Sequence, residues 1–245
     1  MGGSMRLGCI ASSFAFILFF GLIGLFVIPS LLIYGISYPF VKYPQDRFQY
    51  LSSVIYKIFF FSIPRIKLDI KLLEELPKSA VYVSTHQSNL DYPILGYFIQ
   101  KYLIMTTMNF KKIPFISQVG HLIGIRHLDK NNLGNISDTY GEFEQMLQED
   151  RNVVFFAEGT RGSGKGLGRF KKGAFRLAMK TNKPIIPIVI DGSADILAKG
   201  NFCFSGTKKA NIKVQMLEPI YPDKFSNESD MLKYTHNIMS ESCQK

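Results

Sequence analysis

His86 and Asp91, five positions apart in Thr85-His86-Gln87-Ser88-Asn89-Leu90-Asp91, are the pair in this chain best suited to moving a proton. An imidazole takes up and returns a proton near neutral pH. A carboxylate on one ring nitrogen holds the tautomer that leaves the other nitrogen free to act as a base. On one continuous helix the two side chains would diverge by roughly 140°. The pair therefore requires His86 in a turn and Asp91 in the first turn of the helix that follows. A purely structural alternative also fits these residues. Ser88 would cap the helix, Asp91 would sit against its dipole, and His86 would be an ordinary histidine.

The elements around this pair follow from hydrophobic pattern. Short β-rich runs are expected at Ile66–Ile70, Val81–Ser84, Tyr102–Thr106, Ile123–Arg126, Val153–Ala157, Ile185–Ile190 and Ile212–Met216. Helical spacing appears at Pro93–Gln100, Ile136–Glu149, Gly173–Lys180 and Asp230–Ser240. In Ile136–Glu149, Tyr140, Phe143 and Leu147 recur at the interval of a core face. Strands alternating with helices predict an α/β protein with a mixed, mostly parallel sheet flanked by helices. In such sheets functional groups gather in loops beyond the strand carboxyl ends. His86 follows one strand in that position, and Glu158-Gly159-Thr160-Arg161 follows another.

The second loop also contains a false lead. Gly159 through Lys165 satisfies G-x-x-x-x-G-K, the opening of a phosphate-binding P-loop. The eighth position, where a Ser or Thr hydroxyl ligates magnesium, is Gly166, and no helix opens directly after it. Both departures weigh against nucleotide hydrolysis, and the glycine-rich stretch reads as a mobile flap carrying basic residues.

Composition narrows the partner. The 245 residues carry 29 Lys and Arg against 19 Asp and Glu, a formal net charge of +10 spread along the chain. A basic surface suits nucleic acid, anionic lipid or phosphorylated substrates. Cys9, Cys203 and Cys243 are odd in number and scattered. They suggest neither a disulfide framework nor a zinc site, and fit a reducing, cytosolic exposure. From Leu7 to Val41 no residue is charged, and Phe, Leu and Ile dominate. About 20 apolar residues cross a bilayer, and this run is longer. It is also too long for a signal peptide and lacks a cleavage site. Pro29 and Pro39 divide it, and a second apolar stretch, Tyr50 to Ile63, carries only Lys57 as a charge. The expectation is an N-terminal hydrophobic two-helix membrane motif over residues 1–64 and an α/β domain over 65–245. The two helices either lie in one leaflet or the first spans. Arg6, Lys42 and Arg47 bracket the first segment, so charge does not set its topology. The apolar amino terminus argues against nucleic acid as the partner.

Four segments, in this order, resemble the 1-acyl-sn-glycerol-3-phosphate acyltransferase family of glycerolipid acyltransferases. They are the H-x4-D of His86 to Asp91, Gly120 through Arg126 (GHLIGIR), Phe156-Ala157-Glu158-Gly159-Thr160-Arg161, and Ile186-Pro187-Ile188 with Gly192 beyond. The second resembles a motif ending in a substrate-binding arginine, the third the family's F-P-E-G-T-R. The resemblance covers roughly residues 66–216. Thr85, Ala157, Gly124 and Ile125 depart from the usual residues, Ile125 standing where the family has Asp.

The resemblance implies acyl transfer from a thioester, acyl-ACP or acyl-CoA, to the free sn-2 hydroxyl of lysophosphatidic acid. His86 would be the base and Asp91 its orienting partner, without a covalent acyl-enzyme. Arg126, Glu158, Gly159, Thr160 and Arg161 would bind the acceptor's phosphate and glycerol, with Lys112 and Lys172 as additional phosphate or donor contacts. No metal or resident cofactor is expected. The location implied is the membrane, with the catalytic domain on the cytoplasmic face. Glycerol-3-phosphate or another lysophospholipid is the alternative acceptor. From a different class, a non-catalytic basic membrane-surface protein explains charge and apolar segments but leaves the two loops without a reason.

Overall fold

The computed structural model describes residues 21, 42–43, 45–63, 66–106, 120–162, 166–198 and 210–243. The apolar run from Leu7 to Val41 lies outside these residues apart from Gly21, and so do Lys112 and the expected boundary after residue 64. The chain forms two compact units that interleave along the sequence. One is drawn from Met1–Asp69, Gln87–Gln100 and Gly192–Ile212, the other from Ile70–His86, Lys101–Asp191 and Lys213–Lys245.

The first unit contains helix α1 (Gln45–Ser62), helix α2 (Asp91–Phe98) and the short α5 (Ser193–Ile196). Helix α1 starts earlier than its apolar residues do, because Asp46 in its first turn suits the positive end of the helix dipole. Phe48, Ile55, Tyr56, Phe59 and Phe60 are buried, and α1 packs on α2, where Lys57 Nζ lies over the Tyr97 ring, 5.4 Å from its centroid. Tyr50, Val54, Ile58 and Phe61 remain exposed, Phe61 at 92%. Their spacing of four, four and three places them in one stripe along the helix. Among the described residues, no helix is long and apolar enough to cross a membrane.

The sheet has the order β1-β7-β6-β2-β5-β3-β4. Its strands are β1 (Ile66–Lys71), β2 (Val81–Ser84), β3 (Tyr102–Thr106), β4 (Ile125–His127), β5 (Asn152–Phe156), β6 (Ile185–Asp191) and β7 (Ala210–Met216). Strand β2 runs parallel to both β5 and β6, and β3 runs parallel to β4 and β5, while β6 and β7 are antiparallel. The expected mixed, mostly parallel sheet is the one observed. Val81, Val83, Val153, Val154, Ile186 and Ile188 are fully buried, as continuous apolar strands inside a helix-covered sheet must be. Helices α3 (Leu133–Gln148), α4 (Gly173–Thr181) and α6 (Glu228–Cys243) pack on this unit.

Element boundaries shift where a turn intervenes. Strand β4 begins at Ile125 rather than Ile123, because Gly124 adopts φ 92° and its amide bonds to the His121 carbonyl. That left-handed conformation closes a turn before the strand and favours glycine. The expected cap at Ser88 is corrected as well. Helix α2 starts at Asp91 with Leu90 at the cap position and no side-chain capping bond. The Ser88 hydroxyl instead donates to the Leu197 carbonyl at 2.7 Å and accepts from the Leu90 amide at 3.2 Å.

Candidate active site

Strands β2 and β5 are neighbours, yet β2 leads on to β3 and β5 to β6, in opposite directions along the strand order. Loops diverging in this way at the carboxyl edge mark the usual ligand position of an open α/β sheet. His86 leaves β2 there and Glu158 leaves β5. The ladder carries on past the strand ends, with the Ala157 amide on the Ser84 carbonyl at 2.9 Å and the Thr85 amide on the Ile188 carbonyl at 3.1 Å. The Thr85 hydroxyl donates to the Ile190 carbonyl and accepts from the Ile190 amide. His86 is thus carried on fixed backbone.

His86 is 9% exposed, and its ring stacks on Phe156 with centroids 3.8 Å apart and planes 15° from parallel. The His86 carbonyl accepts the Gly162 amide at 2.7 Å, which ties the H-x4-D loop to the E-G-T-R loop. Asp91 is fully buried at the start of α2. One of its carboxylate oxygens, Oδ2, accepts the Gln87 amide at 2.6 Å and the Ser88 amide at 2.8 Å. This aspartate therefore sets the backbone directly after His86, and its place in the first helical turn is the one the spacing requires.

In the second loop, Gly159 adopts φ 65°, Thr160 is exposed and Arg161 is half-buried. Glu158 is 8% exposed, and its Oε2 accepts the Gly168 amide at 3.0 Å. Burial pushes its carboxyl above the ordinary 4.5, opposed by the Gly168 bond and then by the charges of His86 and His236. Gly162 and Gly168 both face this carboxylate: a Cβ on Gly162 would lie 3.1 Å from Oε2, and one on Gly168 would collide with it. His236, on α6, meets the Phe170 ring edge-on at 4.7 Å.

Of the other predicted residues, Arg126 and Lys172 are already engaged. Arg126 Nε bonds both Glu142 oxygens, at 2.9 and 2.8 Å, and Nη2 bonds Oε1 at 2.8 Å. Its Nη1 donates to the His121 carbonyl at 3.0 Å. Burial first, and then Arg126, lower the His121 imidazole pKa, while Glu142 opposes them. Lys172 Nζ donates to Ser229 Oγ at 2.8 Å and lies 3.7 Å from Glu228, at the start of α6. A cavity of about 310 Å³ lies in the same unit, with Met105, Leu128, Tyr140, Phe156 and Gly159 in its wall and Lys130 and Lys171 beside them. Among the described residues, no group of three His, Cys, Asp or Glu is set to hold a metal ion.

Sequence reasoning named Phe156 only as part of a motif and missed its role as the platform for His86. It missed Glu142 and His236 altogether. The recurrence of glycine at 162 and 168 is a signal that the Glu158 carboxylate has close neighbours. No spacing in the chain announces Glu142 or His236.

A parallel-centred α/β sheet with a histidine loop and an acidic, glycine-walled loop joined at its carboxyl edge defines the class. A family model described as Acyltransferase matches residues 67–191, and the chain belongs to that family. A chloroplastic 1-acyl-sn-glycerol-3-phosphate acyltransferase of Brassica napus is 34% identical over 164 residues, covering 66% of this chain and 47% of its own. The Escherichia coli 1-acyl-sn-glycerol-3-phosphate acyltransferase is 28% identical over 169 residues, covering 66% of each. This chain spans about half the length of the chloroplastic relatives it matches. The crystal structure of PlsC, the 1-acyl-sn-glycerophosphate acyltransferase of Thermotoga maritima, shares the fold with a TM-score of 0.74. That match covers 96% of this chain and 97% of the other at 19% identity.

Proposed function

We propose that this protein transfers a fatty acyl group from a thioester, acyl-ACP or acyl-CoA, to the sn-2 hydroxyl of lysophosphatidic acid, giving phosphatidic acid. The observation that carries this reading is the bond from the Gly162 amide to the His86 carbonyl, which joins the two loops that must act together. The names of the curated relatives support the acceptor. His86 takes the hydroxyl proton as the oxygen attacks the thioester carbonyl. It returns that proton to the departing sulfur when the tetrahedral intermediate collapses, so no acyl-enzyme forms. Asp91 sets the tautomer and stabilises the imidazolium, as the carboxylate of a catalytic triad does.

Arg161 receives the acceptor phosphate, because a guanidinium binds phosphate bidentately. Gly159 and Thr160 shape that loop, and Glu158 holds it through Gly168. Arg126 adds a second cation, on terms set by Glu142. Lys112 and Lys172 remain candidates for electrostatic support, Lys172 through the start of α6. The mainly apolar cavity that shares Phe156 with the His86 stack suits an acyl chain. No resident cofactor enters this scheme. The working location is the membrane, with the catalytic groups on the cytoplasmic side. The apolar run from Leu7 to Val41 and the exposed stripe of α1 support the membrane part of this reading.

The test is transfer from acyl-CoA and acyl-ACP to a panel of lysophosphatidic acid, glycerol-3-phosphate and other lysophospholipids, wild type against His86→Ala. Loss of at least about 10³-fold in rate with unchanged vesicle binding is expected. Full activity in His86→Ala sinks the base assignment, and preference for another acceptor moves the substrate assignment.

A further inference from the structure

The Arg126 guanidinium presents its Nε/Nη2 edge side-on to Glu142. This is the same edge that a phosphate uses in bidentate recognition. Nη1 faces the other way, onto the carbonyls of His121 at 3.0 Å and Ile125 at 3.4 Å. The two partners differ in freedom. The Arg126 side chain is 11% exposed and fixed by backbone, whereas the Glu142 side chain is 40% exposed on helix α3. A carboxylate in that position can rotate into solvent while the guanidinium keeps its orientation.

The pair also stands close to the site in sequence and wall. Leu128 and Lys130, just beyond Arg126, line the same cavity as Gly159 of the second loop and Tyr140, two residues before Glu142. The motif itself lacks an acid next to its arginine, since Ile125 occupies that position. The carboxylate comes instead from 16 residues away.

We propose that Glu142 is an internal stand-in for the acceptor's phosphate. It holds Arg126 ready in the empty protein and gives up the Nε/Nη2 edge when a phosphate arrives. This rests on the reading of Arg126 as a phosphate ligand. The exchange trades one charge-assisted pair for another, so it orders the arginine in advance without binding the product phosphate too tightly. Like charges do not share the edge, so Glu142 leaves as the phosphate binds.

The test is inorganic phosphate titrated calorimetrically into the full chain in detergent micelles, with acceptor KM measured alongside. Glu142→Gln keeps the side-chain volume and removes the competing charge. Phosphate should bind about three- to tenfold more tightly to Glu142→Gln than to wild type, and acceptor KM should fall by a similar factor. In the Arg126→Gln background the same substitution should change neither. Glu142→Asp, one methylene shorter, should fall between wild type and Glu142→Gln. Unchanged or weaker phosphate binding in Glu142→Gln overturns the proposal, as does an equal gain in the Arg126→Gln background. The calorimetric arm needs no turnover. A chain that binds phosphate as expected but does not acylate lysophosphatidic acid would refute the proposed reaction and leave the exchange standing.

Discussion

On the proposed mechanism Asp91 serves both stability and chemistry, and substitution can separate the two. Its Oδ2 accepts two amides, Gln87 at 2.6 Å and Ser88 at 2.8 Å, and the side chain is fully buried. Hydrogen bonds to a charged acceptor contribute about 1.5–3 kcal/mol each, and a buried amide left without a partner costs about 1–3 kcal/mol. Asp91→Ala removes both bonds and strands the Ser88 amide. With the stranded amide counted within its lost bond, a loss of about 3–6 kcal/mol follows, and at roughly 2–4 °C per kcal/mol for a chain of this size the melting temperature should fall by about 6–24 °C. Asp91→Asn keeps an oxygen for the amides and loses the charge, so its cost should be only about 2 kcal/mol, or about 4–8 °C.

Activity should not follow that graded order. On the proposed mechanism both variants lose the anion assigned to stabilise an imidazolium, and transfer should fall by about 10³–10⁴-fold in each. The assay is differential scanning fluorimetry beside thioester release with lysophosphatidic acid, on the same preparations. The decisive sample is Asp91→Asn, nearly stable and nearly inactive. Wild-type melting in Asp91→Ala refutes the amide argument, and full activity in Asp91→Asn refutes the electrostatic one.

Two further expectations rest on other parts of the molecule. Burial raises the Glu158 pKa, so its contribution to stability is fully present below 4.5 and is lost as pH rises through the raised folded value. Glu158→Gln should therefore melt with wild type in acid and above it at neutral pH; a pH-independent gap in melting temperature would show that ionisation is not the cause. The chain contains no tryptophan, so Phe61→Trp places a single reporter on the exposed stripe of α1. Its emission should shift to the blue on adding anionic vesicles and be quenched by brominated acyl chains, whereas unchanged emission would remove the stripe from the membrane face.

The central strands were legible because their burial is two-sided. Val81–Ser84 and Ile185–Ile190 are short apolar runs with polar loops at each end, and no helix of that length would hold. The candidate site was legible where its residues lie within one loop, as from His86 to Asp91 and from Glu158 to Arg161. It was not legible where partners come from distant sequence. Ser88 reads as a helix cap because its neighbours suit one, but its hydroxyl is taken by Leu197, 109 residues away. Arg126 reads as a free phosphate ligand because Glu142 lies on a different element. Gln45–Ser62 reads as starting at Tyr50, since an apolar stretch shows where a helix is buried and not where its polar first turn begins.

Two glycines in and just beyond the false P-loop have a physical explanation of their own. A nucleotide-binding loop uses glycines so that backbone amides can approach an external phosphate. Here the anion is internal. Gly168 donates its amide to the Glu158 carboxylate, and Gly162 and Gly168 leave room for that carboxylate where a side chain would press on it. Gly162 has a second task, since its own amide goes to the His86 carbonyl. One residue without a side chain therefore lets the acidic loop pack on itself and fastens it to the histidine loop. An alanine there would add a methyl beside Glu158 at the point where the two loops are joined. Gly162, inside that pattern but not one of its two defining glycines, and Gly168 beyond it thus serve a buried carboxylate, and through it the joining of the two loops.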